Sequence, residues 1–262
     1  MKFPELSAPS RFYYAYSNFF PQSCSVESPG KSRPMKFPEL SAPSRFASLR
    51  EARTPLDVAS GAISGAWLPR ARTRDRGDAL LLPGFGSGPA AMFALKRTVE
   101  NAGFDASDWG LGFNGGDVPT LLAAFSSGLA ESFERTGRPV TLVGWSLGGY
   151  IAREAARDLP AAVAKVITLG TPVFGGPRYT ATADFYARQG IDVKEIEQAT
   201  IERFDEPLNV PVVALYSRND GVVSWEACID RWSPNVEHIE VKASHLGMGF
   251  ARESLKIVAN KI

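Results

Sequence analysis

The chain has 262 residues, 44% hydrophobic and 22% charged, a length and balance that suit one globular domain with a sizeable core. Its 29 Lys and Arg nearly cancel its 28 Asp and Glu, which argues against a nucleic-acid partner or an acidic membrane surface. Two cysteines, Cys24 and Cys228, cannot make a disulfide framework, and no spacing suits a metal site.

No apolar run approaches the length of a transmembrane helix. Residues 1–11 carry Pro4, Glu5, Ser7 and Pro9 where a secretory signal needs an unbroken apolar core. The expectation is a soluble, cytoplasmic chain. Residues 1–12 read MKFPELSAPSRF, and residues 35–46 repeat those letters. Solenoid units recur several times because each must stack on its neighbours. Two copies of a Pro- and Ser-containing segment do not meet that need, so a gene-level duplication or a cloning artefact is the simpler reading. Residues 1–46 are expected to lie outside the core and 47–262 to form the domain, with 47–78 an Arg-rich lead-in of little periodicity.

From Ala79 onward, short apolar runs alternate with longer amphipathic ones, the pattern of parallel βαβ units. Strands are expected at 79–82, 104–109, 140–145, 165–169, 210–216 and 236–241. Helices are expected at 89–101, 118–135, 147–159 and 250–260. Asp117 with Pro119 marks a helix start, and Gly137 a helix end. The fold class is therefore α/β, with about six strands in a mostly parallel sheet flanked by helices. Residues 174–207 are too long for a plain connection. Phe174, Phe185, Phe204 and other apolar residues give this interval one face, and Glu195, Glu197 and Glu202 another. Two short helices separated by Gly190 are expected to form a small lid, although packing of both on the sheet edge would produce the same amphipathic pattern.

The segment from Thr141 to Tyr150 contains G-x-S-x-G as Gly144, Ser146 and Gly148, between an apolar strand and an amphipathic helix. That context, more than the pattern alone, makes Ser146 a candidate nucleophile rather than a simple helix cap. A serine hydroxyl needs a base. His238 falls inside a strand pattern, as an ordinary edge residue would. His245 follows that strand, among the loops where parallel sheets gather functional groups. An acid is needed to hold the imidazole. Asp220 follows the strand before it, whereas Asp205 precedes that strand and falls at the wrong end of the sheet. Two oxyanion donors are expected from the backbone of Leu147 and of Phe85, in the Gly-rich loop 82–88. Trp145, Phe174, Phe185 and Phe204 are the candidate substrate-binding side chains.

With the order Ser146, Asp220, His245, the sequence resembles the α/β-hydrolase superfamily from about Ala79 to the end. The resemblance rests on Pro83-Gly84-Phe85-Gly86, Gly144-Trp145-Ser146-Leu147-Gly148-Gly149, Ser217-Arg218-Asn219-Asp220-Gly221 and Ser244-His245. Trp109-Gly110-Leu111-Gly112-Phe113-Asn114-Gly115 and Thr168-Leu169-Gly170-Thr171-Pro172 look like bacterial esterase/lipase-like hydrolases, often labelled triacylglycerol lipases. The resemblance implies the α/β-hydrolase fold and cleavage of a small ester or lipid through an acyl-enzyme, without cofactor. Two departures stand out: the first loop lacks the His-Gly opening of many lipases, and the sheet lacks the two leading strands of larger members. Acyl transfer, lactone, amide or C–C bond cleavage, or a non-catalytic binding protein on the same fold, remain the alternatives. The oligomeric state is left open.

Overall fold

The computed structural model describes residues 40–44, 46–64, 71, 73, 75–190 and 192–262. The first copy of the duplicated segment and Cys24 lie outside the described residues. Six strands form one sheet: β1 (Asp78–Leu82), β2 (Asp105–Asp108), β3 (Val140–Trp145), β4 (Val163–Leu169), β5 (Val212–Tyr216) and β6 (Val236–Glu240). Their spatial order is β2-β1-β3-β4-β5-β6, and every neighbouring pair is parallel. The chain runs outward from β1 to β2, then returns to lay β3 on the other side of β1. That reversal opens a crevice above the carboxyl ends of β1 and β3, where open parallel sheets bind ligands.

The helices are α1 (Thr54–Ser64), α2 (Phe93–Asn101), α3 (Val118–Thr136), α4 (Leu147–Asp158), α5 (Ala183–Arg188), α6 (Val193–Glu202) and α7 (Arg252–Lys261). Leu95 and Val99 of α2 and Leu255 and Val258 of α7 cover one face of the sheet, against Leu81, Val143, Ile167 and Val213. Phe125 and Leu129 of α3 and Ile151 and Ala155 of α4 cover the other, against Leu82, Leu142, Val166 and Val212. Consecutive strand residues thus point into opposite cores. This is why the inner strands read as continuous apolar runs rather than alternating ones. The outer strands β2 and β6 carry Asp105, Asp108, Glu237 and Glu240, charges that guard the sheet edges.

Helix α3 begins where expected: the Asp117 carboxylate accepts a hydrogen bond from the Thr120 N–H at 3.3 Å, and Gly137 ends the helix in a left-handed conformation. The interval 174–207 contains α5 and α6, flanked by short 3-10 turns at Gly176–Tyr179 and Arg203–Asp205, and Gly190 follows α5 at φ 76°. A third apolar cluster joins both ends of this interval through Phe174, Tyr179 and Phe204, with Ala227, Trp232 and Leu40 packed against it.

The lead-in is more ordered than its sequence suggests. Residues Ala47–Arg53 form a 3-10 helix that runs directly into α1. Phe46, Leu49, Leu56 and Val58 are exposed, whereas Ala47 and Asp57 face the protein. The segment docks through polar contacts rather than an apolar stripe, so a search for hydrophobic periodicity passes over it.

Candidate active site

Strand β3 ends at Trp145 and α4 begins at Leu147, leaving Ser146 as the entire turn. With φ 52° and ψ −121°, Ser146 is the one non-glycine residue of positive φ among those described. Such a conformation costs about 1–3 kcal/mol and persists only when its surroundings impose it. Here they do so by close approach. A Cβ on Gly144 would lie 2.4 Å from the Cα of Gly149, and one on Gly148 would lie 2.2 Å from the Leu82 carbonyl oxygen. The Ser146 N–H donates to the Leu169 carbonyl at 2.8 Å, and the Thr171 hydroxyl donates to the Ser146 carbonyl at 3.0 Å. The side chain is thereby held at the head of α4, where free N–H groups and the helix dipole favour developing negative charge.

Asp220 and His245 meet on the loops after β5 and β6, with Nδ1 and Oδ2 separated by 2.6 Å. Both residues are buried. The other carboxylate oxygen, Oδ1 of Asp220, accepts from the N–H groups of Val222 and Val223 at 2.8 and 2.7 Å. Burial disfavours the charged imidazole of His245. The charge and hydrogen bond of Asp220, with a further contribution from Glu51, outweigh it and raise the pKa above its ordinary 6.5. The carboxylate fixes the proton on Nδ1, which leaves Nε2 as an acceptor. The Ser146 hydroxyl and the imidazole are not hydrogen-bonded to each other in this structure. The second histidine lies elsewhere. His238 Nε2 accepts from the Asp230 N–H at 3.0 Å, and burial lowers its pKa.

Residues 68–245 match the alpha/beta hydrolase family. The chain belongs to that family. No curated protein sequence matches this chain. Among solved structures it is similar to one of the metagenome-derived lipolytic enzymes LipS and LipT, at 16% identity and TM-score 0.55 over 72% of this chain and 92% of that one. It is similar also to the mature lipase BlEst2 of Bacillus licheniformis, at 19% identity and TM-score 0.53 over 72% and 93% of the two chains. A third likeness is to the monoacylglycerol lipase of Paleococcus ferrophilus, at 16% identity and TM-score 0.51 over 72% and 96%. At these identities the likeness is one of fold.

Ser146 and Leu147 open onto a pocket at the carboxyl edge of the sheet. Phe85, from the loop after β1, lines the same pocket. Among the described residues, the N–H groups of Phe85 and Leu147 donate to no other protein group. Asn114, fully buried, ties down the Phe85 loop: its side-chain amide donates to the Pro83 carbonyl at 2.8 Å, and its carbonyl accepts from the Gly86 N–H at 2.8 Å.

The remaining walls are mainly apolar and include Val118, Tyr150, Tyr186, Ile196, Val222 and Val223. None of the four side chains expected to meet substrate is among them. Trp145 points into the core on the opposite face of the sheet, edge-on to Phe250 at 5.7 Å. Phe174 and Phe204 stack with Trp232. Phe185 is partly exposed and packs on the outer side of Phe85, with centroids 5.1 Å apart. Aromatic content marks apolar surface without saying which apolar surface it covers. No helix among the described residues is long and apolar enough to cross a membrane, and no His, Cys, Asp and Glu group among them could hold a metal ion.

Proposed function

We propose that this protein is a serine hydrolase that cleaves carboxylic esters through an acyl-enzyme on Ser146. The observation that carries the reading is the conjunction at the sheet's carboxyl edge: a carboxylate-held imidazole, and a serine forced into a strained turn that opens onto an apolar pocket. In the first step Ser146 Oγ attacks the ester carbonyl carbon while His245 Nε2 takes the hydroxyl proton. The carbonyl oxygen becomes an oxyanion, stabilised by the N–H groups of Phe85 and Leu147. Asp220 stays ionised and holds the imidazolium. The C–O bond to the alcohol then breaks, and the alcohol leaves with the proton from His245. Water, deprotonated by the same imidazole, attacks the acyl-enzyme and releases the acid and free Ser146. The hydrogen bond between Ser146 and His245 forms as substrate binds, as catalytic contacts in ligand-free sites often do.

The apolar walls suit a hydrocarbon chain on one side of the ester. Pro177, Thr180, Thr182, Tyr186 and Ile196 come from the helical insertion 174–207, which acts as a lid over Ser146. The similar solved structures named lipolytic enzyme or lipase support an ester or lipid substrate over other chemistry of this fold. Labelling with a fluorophosphonate, followed by p-nitrophenyl esters of increasing acyl length, tests the reading. Expected are stoichiometric labelling at Ser146 and a kcat/KM that rises from acetate to medium-chain esters, by up to about tenfold per methylene while the pocket lasts. Absence of labelling in the folded protein would overturn it.

A further inference from the structure

The segment before β1 reaches into the site. Glu51 Oε1 accepts from the Gly221 N–H at 2.8 Å and from the His245 N–H at 2.9 Å. Its Oε2 accepts from the Leu246 N–H at 2.9 Å. Gly221 directly follows Asp220, so one carboxylate joins the loop that carries the acid to the loop that carries the base. Neighbouring contacts follow the same course. Asp57 Oδ2 accepts from both the N–H and the hydroxyl of Ser244 at 2.9 Å, and Arg50 donates to the Arg218 carbonyl at 3.0 Å. The fit is close: a Cβ on Gly221 would lie 2.4 Å from the Ala47 carbonyl oxygen and 2.9 Å from Glu51 Oε1. Three N–H groups directed at one carboxylate are charge-assisted bonds, stronger than neutral ones.

From this geometry we infer that Glu51 is a positioning residue for the reaction proposed above, and the inference rests on that reading. Its bridge sets the spacing of the loops and so the placing of the imidazole relative to Ser146. Displacing a reacting group by about 1 Å can lower turnover by about 100-fold. Glu51 also adds a second negative charge beside His245. The charged groups facing that imidazole are the carboxylates of Asp220 and Glu51, with Asp57 and its partner Arg53 one residue away at Ser244.

The test compares wild type, Glu51→Gln and Glu51→Asp. In each, kcat, KM and melting temperature are measured, and the His245 ring is titrated by NMR, assigned against a His238→Gln sample. Gln keeps the shape, loses the charge and turns an N–H toward one of the three donors. Expected for Glu51→Gln are a kcat lower by about 10- to 100-fold, a KM within about threefold of wild type, and a His245 titration displaced to lower pH. Glu51→Asp keeps the charge but not the reach, so its pKa stays near wild type while kcat falls. It also carries the test if the Gln variant does not fold. An unchanged kcat and an unmoved titration, with only a lower melting temperature, would overturn the inference. If wild type cleaves no ester, the hydrolase reading fails separately, and an unmoved titration then still decides against the bridge.

Discussion

Gly170 lies directly against His245: a Cβ there would be 2.9 Å from the imidazole Nδ1 and 3.1 Å from Asp220 Oδ2. The residue also sits at φ 55°, a conformation that side chains resist. A methyl group in that position wedges the acid from the base. Gly170→Ala is expected to lower kcat by about 100-fold, as misplacement of a catalytic group does, with KM little changed. Steady-state kinetics with a melting curve separates this from general destabilisation. Full activity would mean the pair tolerates being pushed apart.

The direction of the His245 shift sets the pH dependence. In the proposed reaction the imidazole must be neutral to accept the Ser146 proton, and its pKa is raised above 6.5. Activity is therefore lost on the acid side, and the midpoint of the acid limb of kcat/KM lies above pH 6.5. Ser146→Ala and His245→Ala each lower turnover by about four to six orders of magnitude. His238→Gln leaves both the limb and the turnover near wild type. A pH profile of the three variants reads all of this together.

Tyr186 and Ile196 line the pocket, whereas Phe204 stacks behind it. Tyr186→Ala or Ile196→Ala should flatten the dependence of kcat/KM on acyl length more than it affects acetate. Phe204→Ala should instead cost about 3–5 kcal/mol of stability, as emptying an aromatic site does, and should depress all chain lengths alike. An ester series run beside urea unfolding tells the two outcomes apart.

Asp230 forms a buried ion pair with Arg153 of α4. Burial opposes ionisation of its carboxyl, yet the guanidinium and the N–H groups of Ser233 and Trp232 hold the pKa down to about 2, from 3.8. A carboxyl pKa lowered in the folded state stabilises the protein above the unfolded value. That contribution, about 2 kcal/mol, is lost as pH falls from about 4 toward 2. Asp230→Asn leaves Arg153 buried without its counter-charge and should cost about 3–5 kcal/mol near neutral pH. Urea unfolding of both proteins across this pH range checks the sign and the size.

A chain starting at Met35 retains the second copy of the duplicated segment and every residue proposed to act in the reaction. It is expected to fold and keep its ester hydrolysis. A chain starting at residue 68, where the family match begins, lacks Glu51 and Asp57 and should lose at least about tenfold in kcat through displacement of the His245 loop. Equal activity of the two would show that the lead-in is dispensable.

Much of this arrangement is legible in the sequence. Strand, Gly144, Ser146, Gly148 and helix stand contiguous in the chain, so local sterics alone foretell the turn. That Asp220 and His245 should meet follows from their places after successive strands of one parallel sheet. Glu51 and Asp57 gave no such sign. Their segment binds through carboxylates to backbone N–H groups, and backbone donors carry no sequence signature. The pocket walls are hard to read from sequence for a related reason. Phe174 and Phe204 advertise apolar surface, but their partner Trp232 is distant in the chain, and nothing local tells a buried stack from a substrate wall.

That stack has a consequence for traffic through the site. Phe174 and Phe204 stand at the two ends of the insertion, with ring centroids 6.4 Å apart, and Trp232 lies 4.0 Å from Phe204. Both doorposts are thus anchored to the body of the domain. On the lid reading proposed above, widening to admit a bulky ester is expected from the span between them, which holds α5, Gly190 at φ 76° and α6. On that reading the two short helices set the aperture between anchored ends, and its size is expected to change without loosening the turn that holds Ser146.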